Sequence, residues 1–265
     1  MARTTDRFRY DGKRAVVVGG ASGIGAATAD VLIELGAEVI VMDVAPVLRE
    51  DVRVIQIDLT EKKNIERAVD ECGGPIDALL SCAGVADGPR LPSINFLGQR
   101  HLIERAVHGG LMPRGSAIAM VSSAGGRGWE DHLDELLEYV WTPTFEAGEE
   151  WIAAHPDFAG YAGSKQAVCV YAGSRAYPFG TRGVRINAVM PGPTDTPLAR
   201  ANAEVWLTYA TDYRDDLGLG PSTAEDQAWI LAFLCSEAAG RIIGASVMSD
   251  AGHAISRFTR SFPPA

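Results

Sequence analysis

The chain has 265 residues, 47% hydrophobic and 22% charged, a composition that can bury a sizeable core and excludes disordered and fibrous classes. Its 24 Lys and Arg against 34 Asp and Glu give a net charge of −10, which repels a phosphate backbone, so no nucleic-acid partner is expected. The longest uncharged stretch, Ala15 to Ala29, is too short and too glycine-rich to span a bilayer, so no membrane partner is expected either.

In chain order, Met1 to Lys13 carries Arg3, Arg7, Arg9 and Lys13 without the apolar run of a signal peptide, and the expected location is the cytoplasm. Arg14 opens the apolar run Ala15-Val16-Val17-Val18, which Gly19-Gly20 ends, and Ile24 to Leu35 has helical spacing. Gly36 stops that helix, and Glu38 to Asp43 is a second β-branched strand, which completes a βαβ unit. The alternation continues with strand Arg53 to Ile57, helix Lys62 to Glu71, strand Ile76 to Ser81, helix Asn95 to Val107 and strand Ala117 to Ser122. Later elements are a helix from Tyr161 to Tyr177, a strand from Val184 to Val189, a helix from Thr223 to Leu234 and a strand from Ser246 to Met248. The pattern predicts one α/β domain over residues 1–265, with a parallel sheet of about seven strands and crossover helices.

One segment breaks the rhythm. Tyr161 follows Ser123 by 38 positions, where a strand-to-helix connection usually takes about 2–6 residues. Trp129, Leu133, Leu136, Leu137, Tyr139, Val140, Trp141, Phe145, Trp151 and Ile152 make this stretch too apolar for a disordered loop. It reads as one or two short helices packed over a cleft: an insertion over about residues 124–160 that serves as a substrate lid. Nine carboxylates and no Lys or Arg lie between Gly128 and Ser164, read as the solvated face of those helices. His132 and His155 beside them make no recognisable ligand set, and Cys72, Cys82, Cys169 and Cys235 lack zinc spacing; no metal is expected and the thiols read as free and buried.

Gly19-x3-Gly23-x-Gly25, with Ser22 and Ile24 in the turn, lies where the first strand meets the first helix. Backbone N–H groups and the helix dipole favour a pyrophosphate there, although the glycines alone would also suit a tight crossing. Asp43 ends the second strand 18 residues after Gly25, placed to bond ribose hydroxyls and to repel a 2′-phosphate. No Arg or Lys occurs in Ala21-Ser22 or Val44-Ala45-Pro46 to hold that phosphate, so the expected cofactor is NAD. Asp58, followed by Leu59, ends the third strand and suits either an adenine amino group or a helix cap.

Tyr161-Ala-Gly-Ser-Lys165 puts a phenol and an ammonium on one helical face, where the cation is expected to lower the tyrosine pKa into a useful acid/base range. Of the seven tyrosines only Tyr161 has Lys at this offset. Tyr171-Ala-Gly-Ser-Arg175 repeats the motif with Arg, but ten residues of helix turn it by roughly 280°, off the Tyr161 face.

Taken with Cys82-Ala83-Gly84, Asn95, Ser122-Ser123 and Pro191-Gly192-Pro193-Thr194, these motifs resemble the short-chain dehydrogenase/reductase family over nearly the whole chain. The resemblance implies a doubly wound Rossmann-type sheet, a nicotinamide cofactor and a Ser–Tyr–Lys centre supported by Asn. In this sequence it implies that Tyr161 moves the substrate proton, Lys165 binds the nicotinamide ribose and Ser123 holds the carbonyl oxygen. It further implies that Asn95 supports a water relay. Cys82, Ala83 and Gly84 would lie beside the adenosine, and Pro191, Gly192, Thr194 and Thr196 beside the nicotinamide, the threonines alternatively capping the next helix. Val18 in place of Thr, and Ser81-Cys82 in place of two Asn residues, depart from the family pattern and remove its usual side-chain support of the central strand.

The long insertion, the string Tyr-Ala-Gly-Ser-Lys and the spans 23–28 and 196–198 are similar to the 3α-hydroxysteroid dehydrogenase/carbonyl reductase branch. That similarity implies an NAD-dependent oxidoreductase acting on a bulky apolar secondary alcohol or ketone, with Phe145 and Trp151 as candidate substrate residues and a homodimer or homotetramer as the assembly. Alternatives are an NAD-retaining epimerase, isomerase or lyase, or a non-catalytic nucleotide sensor on the same fold.

Overall fold

The computed structural model describes residues 4–263, so Arg3 of the basic N-terminal stretch lies outside the described residues. Seven parallel strands form one sheet: β1 (Arg14–Val18), β2 (Glu38–Asp43), β3 (Arg53–Gln56), β4 (Ala78–Ser81), β5 (Ala117–Val121), β6 (Arg185–Pro191) and β9 (Ser246–Ser249). Their spatial order is β3-β2-β1-β4-β5-β6-β9, so the chain reverses direction across the sheet between β1 and β4. Val18 pairs with Met42 on one side and with Ser81 on the other, which aligns the carboxyl ends of the three strands at that reversal. A crevice outside the carboxyl ends at such a point is where open α/β sheets bind ligands.

Side chains alternate between two helical layers. Val16, Val18, Ile40 and Met42 face α2 (Lys62–Cys72), α3 (Gly98–His108) and α6 (Tyr161–Thr181). Ala15, Val17, Val39 and Val41 face α1 (Gly23–Glu34) and α10 (Ala224–Cys235). With both faces covered, the strands are apolar throughout instead of alternating in polarity. No helix among the described residues is long and apolar enough to cross a membrane.

The insertion forms α4 (Leu133–Val140) and α5 (Phe145–Ala154), but these helices do not cover the crevice. Leu136, Tyr139, Val140 and Phe145 join the layer of α2, α3 and α6 instead. The cause lies on α3. Arg100, 2% exposed, donates to the carbonyls of Tyr139 and Thr144 at 3.2 and 3.0 Å and to the Thr142 hydroxyl at 2.6 Å. It thus satisfies the carbonyl end of α4 and the turn into α5, which ties the insertion to the side of the molecule. Arg175 reinforces this by donating to the Val140 carbonyl while stacking 3.6 Å from the Trp141 ring centroid.

Helix α6 runs past its expected end at Tyr177, through Pro178 to Thr181, because Phe179 is buried at its far end and holds the last turn in the core. Between β7 (Thr194–Asp195) and β8 (Ser222–Thr223), a small parallel pair, lie α7 (Pro197–Arg200), α8 (Ala203–Trp206) and α9 (Thr211–Asp216). The last helix is α11 (His253–Phe258).

Candidate active site

A cleft of about 530 Å³ runs along the carboxyl ends of the strands, from Asp43 and Asp58 to Trp206 and Tyr209. At Gly19, where φ is +83°, a Cβ would lie 2.4 Å from the Ala83 backbone; a Cβ on Gly25 would lie 2.0 Å from the Gly19 carbonyl oxygen. Only glycine lets the two turns and the start of α1 approach so closely. Gly25 therefore shapes the turn from behind, while Gly19, Ser22, Gly23 and Ile24 line the cleft. Ser22 stands at the N-cap without a side-chain cap bond, leaving the first N–H groups of α1 to an anion.

Asp43 binds this turn through its carboxylate, which accepts the Ala21 and Ala45 N–H groups, each at 2.9 Å. Arg49, the cation nearest in sequence, pairs with Asp30 at 2.6 Å and Asp51 at 2.7 Å. Asp58 accepts from the Thr60 N–H and hydroxyl; burial pushes its carboxyl up, but these bonds and Arg90 outweigh burial and hold its pKa below the usual value. The cap of α2 is Glu61, so Asp58 closes a loop turn and lines the cleft beside Leu59 instead of capping that helix.

Cys82, Ala83 and Gly84 form the opposite wall. Burial pushes the Cys82 thiol up to about 12. Gln99 supplies the support that Ser81-Cys82 lacked in the sequence. Its amide donates to the carbonyls of Ala83 at 2.8 Å and Ile94 at 2.9 Å, and it accepts from the Ser81 hydroxyl. The Gln99 role was missed because a buried amide in an amphipathic helix gives no local signal.

At the centre, α6 presents Tyr161 and Lys165 together, with Lys165 Nζ 5.6 Å from the Tyr161 ring centroid. The Ser122-Ser123 pair divides. Ser122 is buried and donates to the Lys165 carbonyl at 2.7 Å, whereas Ser123 lines the cleft with Tyr161 and accepts the Gly125 N–H at 3.0 Å. Lys165 donates to the Val121 carbonyl at 2.9 Å, and burial pulls its pKa down to about 8. The expected lowering of the Tyr161 pKa is corrected here: burial, the larger effect, raises it against the lowering by Ser123, so the phenol is protonated at neutral pH.

Asn95 occupies a π-helical turn, Ser93–Leu97, just before α3. Its side chain accepts from the Val85 N–H at 2.8 Å and donates to the Val85 carbonyl at 3.0 Å and the Ser164 hydroxyl at 3.2 Å. Buried and bonded to both backbone groups of Val85, this amide positions the Val85 turn against α6. Tyr171 lies in the core, edge-on to Phe96 at 5.7 Å, and has no part in the cleft.

Phe145 and Trp151 are corrected as substrate residues. Phe145 is buried beside His101, and Trp151 is stacked between Tyr139 at 4.7 Å and His155 at 3.9 Å. Neither lines the cleft, because the apolar face of the insertion is spent on the core. The far wall comes from residues 198–209: Leu198, Val205, Trp206 and Tyr209 line it, and the Trp206 ring lies 4.9 Å from that of Tyr161. Arg127 also lines this end, donating to the Ala124 carbonyl at 3.0 Å and the Tyr209 hydroxyl at 2.9 Å. Two aromatics three residues apart were the available signal for this wall. Pro191, Gly192 and Thr194 line the cleft beside it, as does Thr196, which also caps α7 by accepting the Ala199 N–H at 3.2 Å.

Residues 13–131 match the family model described as short chain dehydrogenase, and residues 149–254 match one described as enoyl-(acyl carrier protein) reductase. The coniferyl-alcohol dehydrogenase of Pseudomonas sp. (strain HR199) is 34% identical over 91% of this chain and 96% of its own. The 3-alpha-hydroxysteroid dehydrogenase/carbonyl reductase of Comamonas testosteroni is 32% identical, covering 89% and 95%. The structure of the 3-alpha-hydroxysteroid dehydrogenase of Pseudomonas sp. B-0831 complexed with NADH superposes with a TM-score of 0.74 at 28% identity, covering 94% of this chain and 99% of that one.

Proposed function

We propose, starting from the fact that this chain belongs to the short-chain dehydrogenase/reductase family, that it passes a hydride between NAD(H) and a bulky, largely apolar secondary alcohol or ketone. The observation that carries this reading is that Ser123, Tyr161 and Lys165 meet in the same cleft as the glycine turn and Asp43. The residues fit a dinucleotide. The cradle at Gly19 has no room for a side chain, the first N–H groups of α1 have no side-chain cap and suit an anion, and Asp43 stands where a ribose would lie with its nearest cation already paired. Gly19, Ser22, Gly23, Ile24, Asp43, Asp58 and Ala83 would hold the adenosine and pyrophosphate, and Lys165, Pro191, Thr194 and Thr196 the nicotinamide half.

When bound, the nicotinamide supplies the hydride acceptor or donor. The remaining work belongs to the chain. Ser123 Oγ and Tyr161 Oη together hold the substrate oxygen. In reduction the protonated Tyr161 donates its proton to that oxygen as charge develops on it; in alcohol oxidation Tyr161 takes the hydroxyl proton. Burial raises the cost of a phenolate, so Lys165 matters most when Tyr161 carries charge: a cation fixed near the ring offsets that cost. Trp206 and Val205 shield the oxygen and offer an apolar surface to the substrate body.

The test is a screen of purified protein with NAD or NADP against secondary alcohols, including hydroxysteroids and aryl alcohols, following reduced cofactor by absorbance. NAD-linked oxidation of bulky secondary alcohols, with slower turnover of small ones, is the expected result. Bound cofactor that cycles without net reduction would instead place the protein among internal-redox isomerases or lyases.

A further inference from the structure

Arg127 is the one cation at the substrate end of the cleft among the described residues, the only other cleft cation, Lys165, being buried below Tyr161. Arg127 is exposed at the rim of the cleft, where its guanidinium makes two bonds: Nε donates to the Ala124 carbonyl and Nη2 to the Tyr209 hydroxyl. Nη1 has no hydrogen-bond partner among the described residues, and no described carboxylate lies within 4.0 Å. An arginine aimed by two neutral bonds and left without a counter-ion is arranged to receive an anion.

Its surroundings define where that anion would sit. Ser123 and Tyr161, which would hold the substrate oxygen, and Arg127 stand at opposite ends of one short segment and its partner wall: Ser123 opens the turn that ends at Arg127, and the Trp206 ring lies tilted against Tyr161 while Tyr209 bonds Arg127. A substrate body lying on Trp206 with its oxygen at Ser123 and Tyr161 would extend along this wall towards Arg127. The hollow that Arg127 borders on its other side also presents Arg257, but there Glu130, Asp131 and Asp212 outnumber the two arginines, which makes the cleft side the better place for an anion. In a chain of net charge −10, such a site is the local exception that admits a negative substituent.

We infer that Arg127 is a specificity-determining residue that selects alcohols or ketones carrying a carboxylate at the end remote from the reacting carbon. This rests on the reading of the cleft as an alcohol dehydrogenase site. The probes are 4-(1-hydroxyethyl)benzoate and its methyl ester, which share the reacting alcohol and the aryl body and differ in the charge. The wild-type kcat/KM should favour the acid. In Arg127→Met the acid-to-ester ratio of kcat/KM should fall at least about tenfold, through KM for the acid more than through kcat. Arg127→Lys should recover part of the ratio, and added salt should raise KM for the acid but not for the ester. Oxidation of the ester as well as or better than the acid by the wild type overturns the assignment of Arg127 alone, as does a loss in Arg127→Met that is equal for both. Oxidation of neither, and of no alcohol in the wider screen, overturns the cleft reading itself.

Discussion

Tyr161 and Tyr171 share a sequence context and a helix, and their surroundings separate them. Tyr161→Phe should lower kcat by about a hundred- to ten-thousand-fold while NAD binding, followed by calorimetry, persists. Among the described residues the buried Tyr171 hydroxyl has no hydrogen-bond partner, so Tyr171→Phe should leave activity and melting temperature nearly unchanged. The reverse ranking would place the reaction elsewhere. Lys165 adds a dependence on pH. Burial lowers its pKa in the folded chain to about 8 from 10.5, so between these values the unfolded chain holds the extra proton and stability rises with pH. Below about 8 both states are protonated and the full cost of the buried charge is present. The stability of the wild type relative to Lys165→Met, from urea unfolding at a series of pH values, should therefore increase from pH 8 towards 10.5 and level off at each side. Residues such as Tyr161 and Lys165 were legible because a helix brings positions four apart onto one face. Arg127 and Tyr209 were not, since they meet across 82 residues through a contact that no local period encodes.

The insertion shows how an element can be read correctly as helical and placed wrongly. Its dense apolar residues announced helices, but the direction in which they dock depends on Arg100, a residue of another helix whose charge suggests the surface. Buried among the carbonyls of Tyr139, Val140 and Thr144, Arg100 fixes that docking. Arg100→Met should cost about 3 kcal/mol in denaturant unfolding, because several buried acceptors lose their donor at once. Phe145→Ala should cost about 3–5 kcal/mol through the cavity it leaves. Neither should alter the ratio of kcat/KM between a bulky and a small secondary alcohol; a selective loss on the bulky one would restore the insertion as a lid. Helix α6 connects the two regions, with Tyr161 and Lys165 at its start facing the cleft and Arg175 further along holding the insertion.

At the scale of the molecule, the strand pattern made the parallel sheet legible, and the order of strands brings the carboxyl ends of β1, β2 and β4 together at the proposed cofactor end. There, in the proposed reading, Asp43 would face a ribose, and Arg49 is paired with two aspartates. NAD should accordingly be preferred over NADP by at least about tenfold in kcat/KM, and Asp43→Ser should narrow that preference. Equal use of both cofactors by the wild type would remove Asp43 from this role. The region from 196 to 221 was the least legible, being made of short helices with no sustained period. Yet both its ends are pinned: Thr194 pairs with Ser222 and Asp195 with Thr223. The part from 198 to 210 leaves and returns between Thr196 and Tyr213, which is anchored to the Ala251 carbonyl, so its length and sequence can change with little effect on the strands of the main sheet. Trp206 and Tyr209 thus ride on an exchangeable cassette, while the proton-moving residues belong to the fixed frame. Such an arrangement favours divergence: new substrates can be acquired by replacing one contiguous stretch, and a graft of this stretch between relatives should carry substrate preference with it.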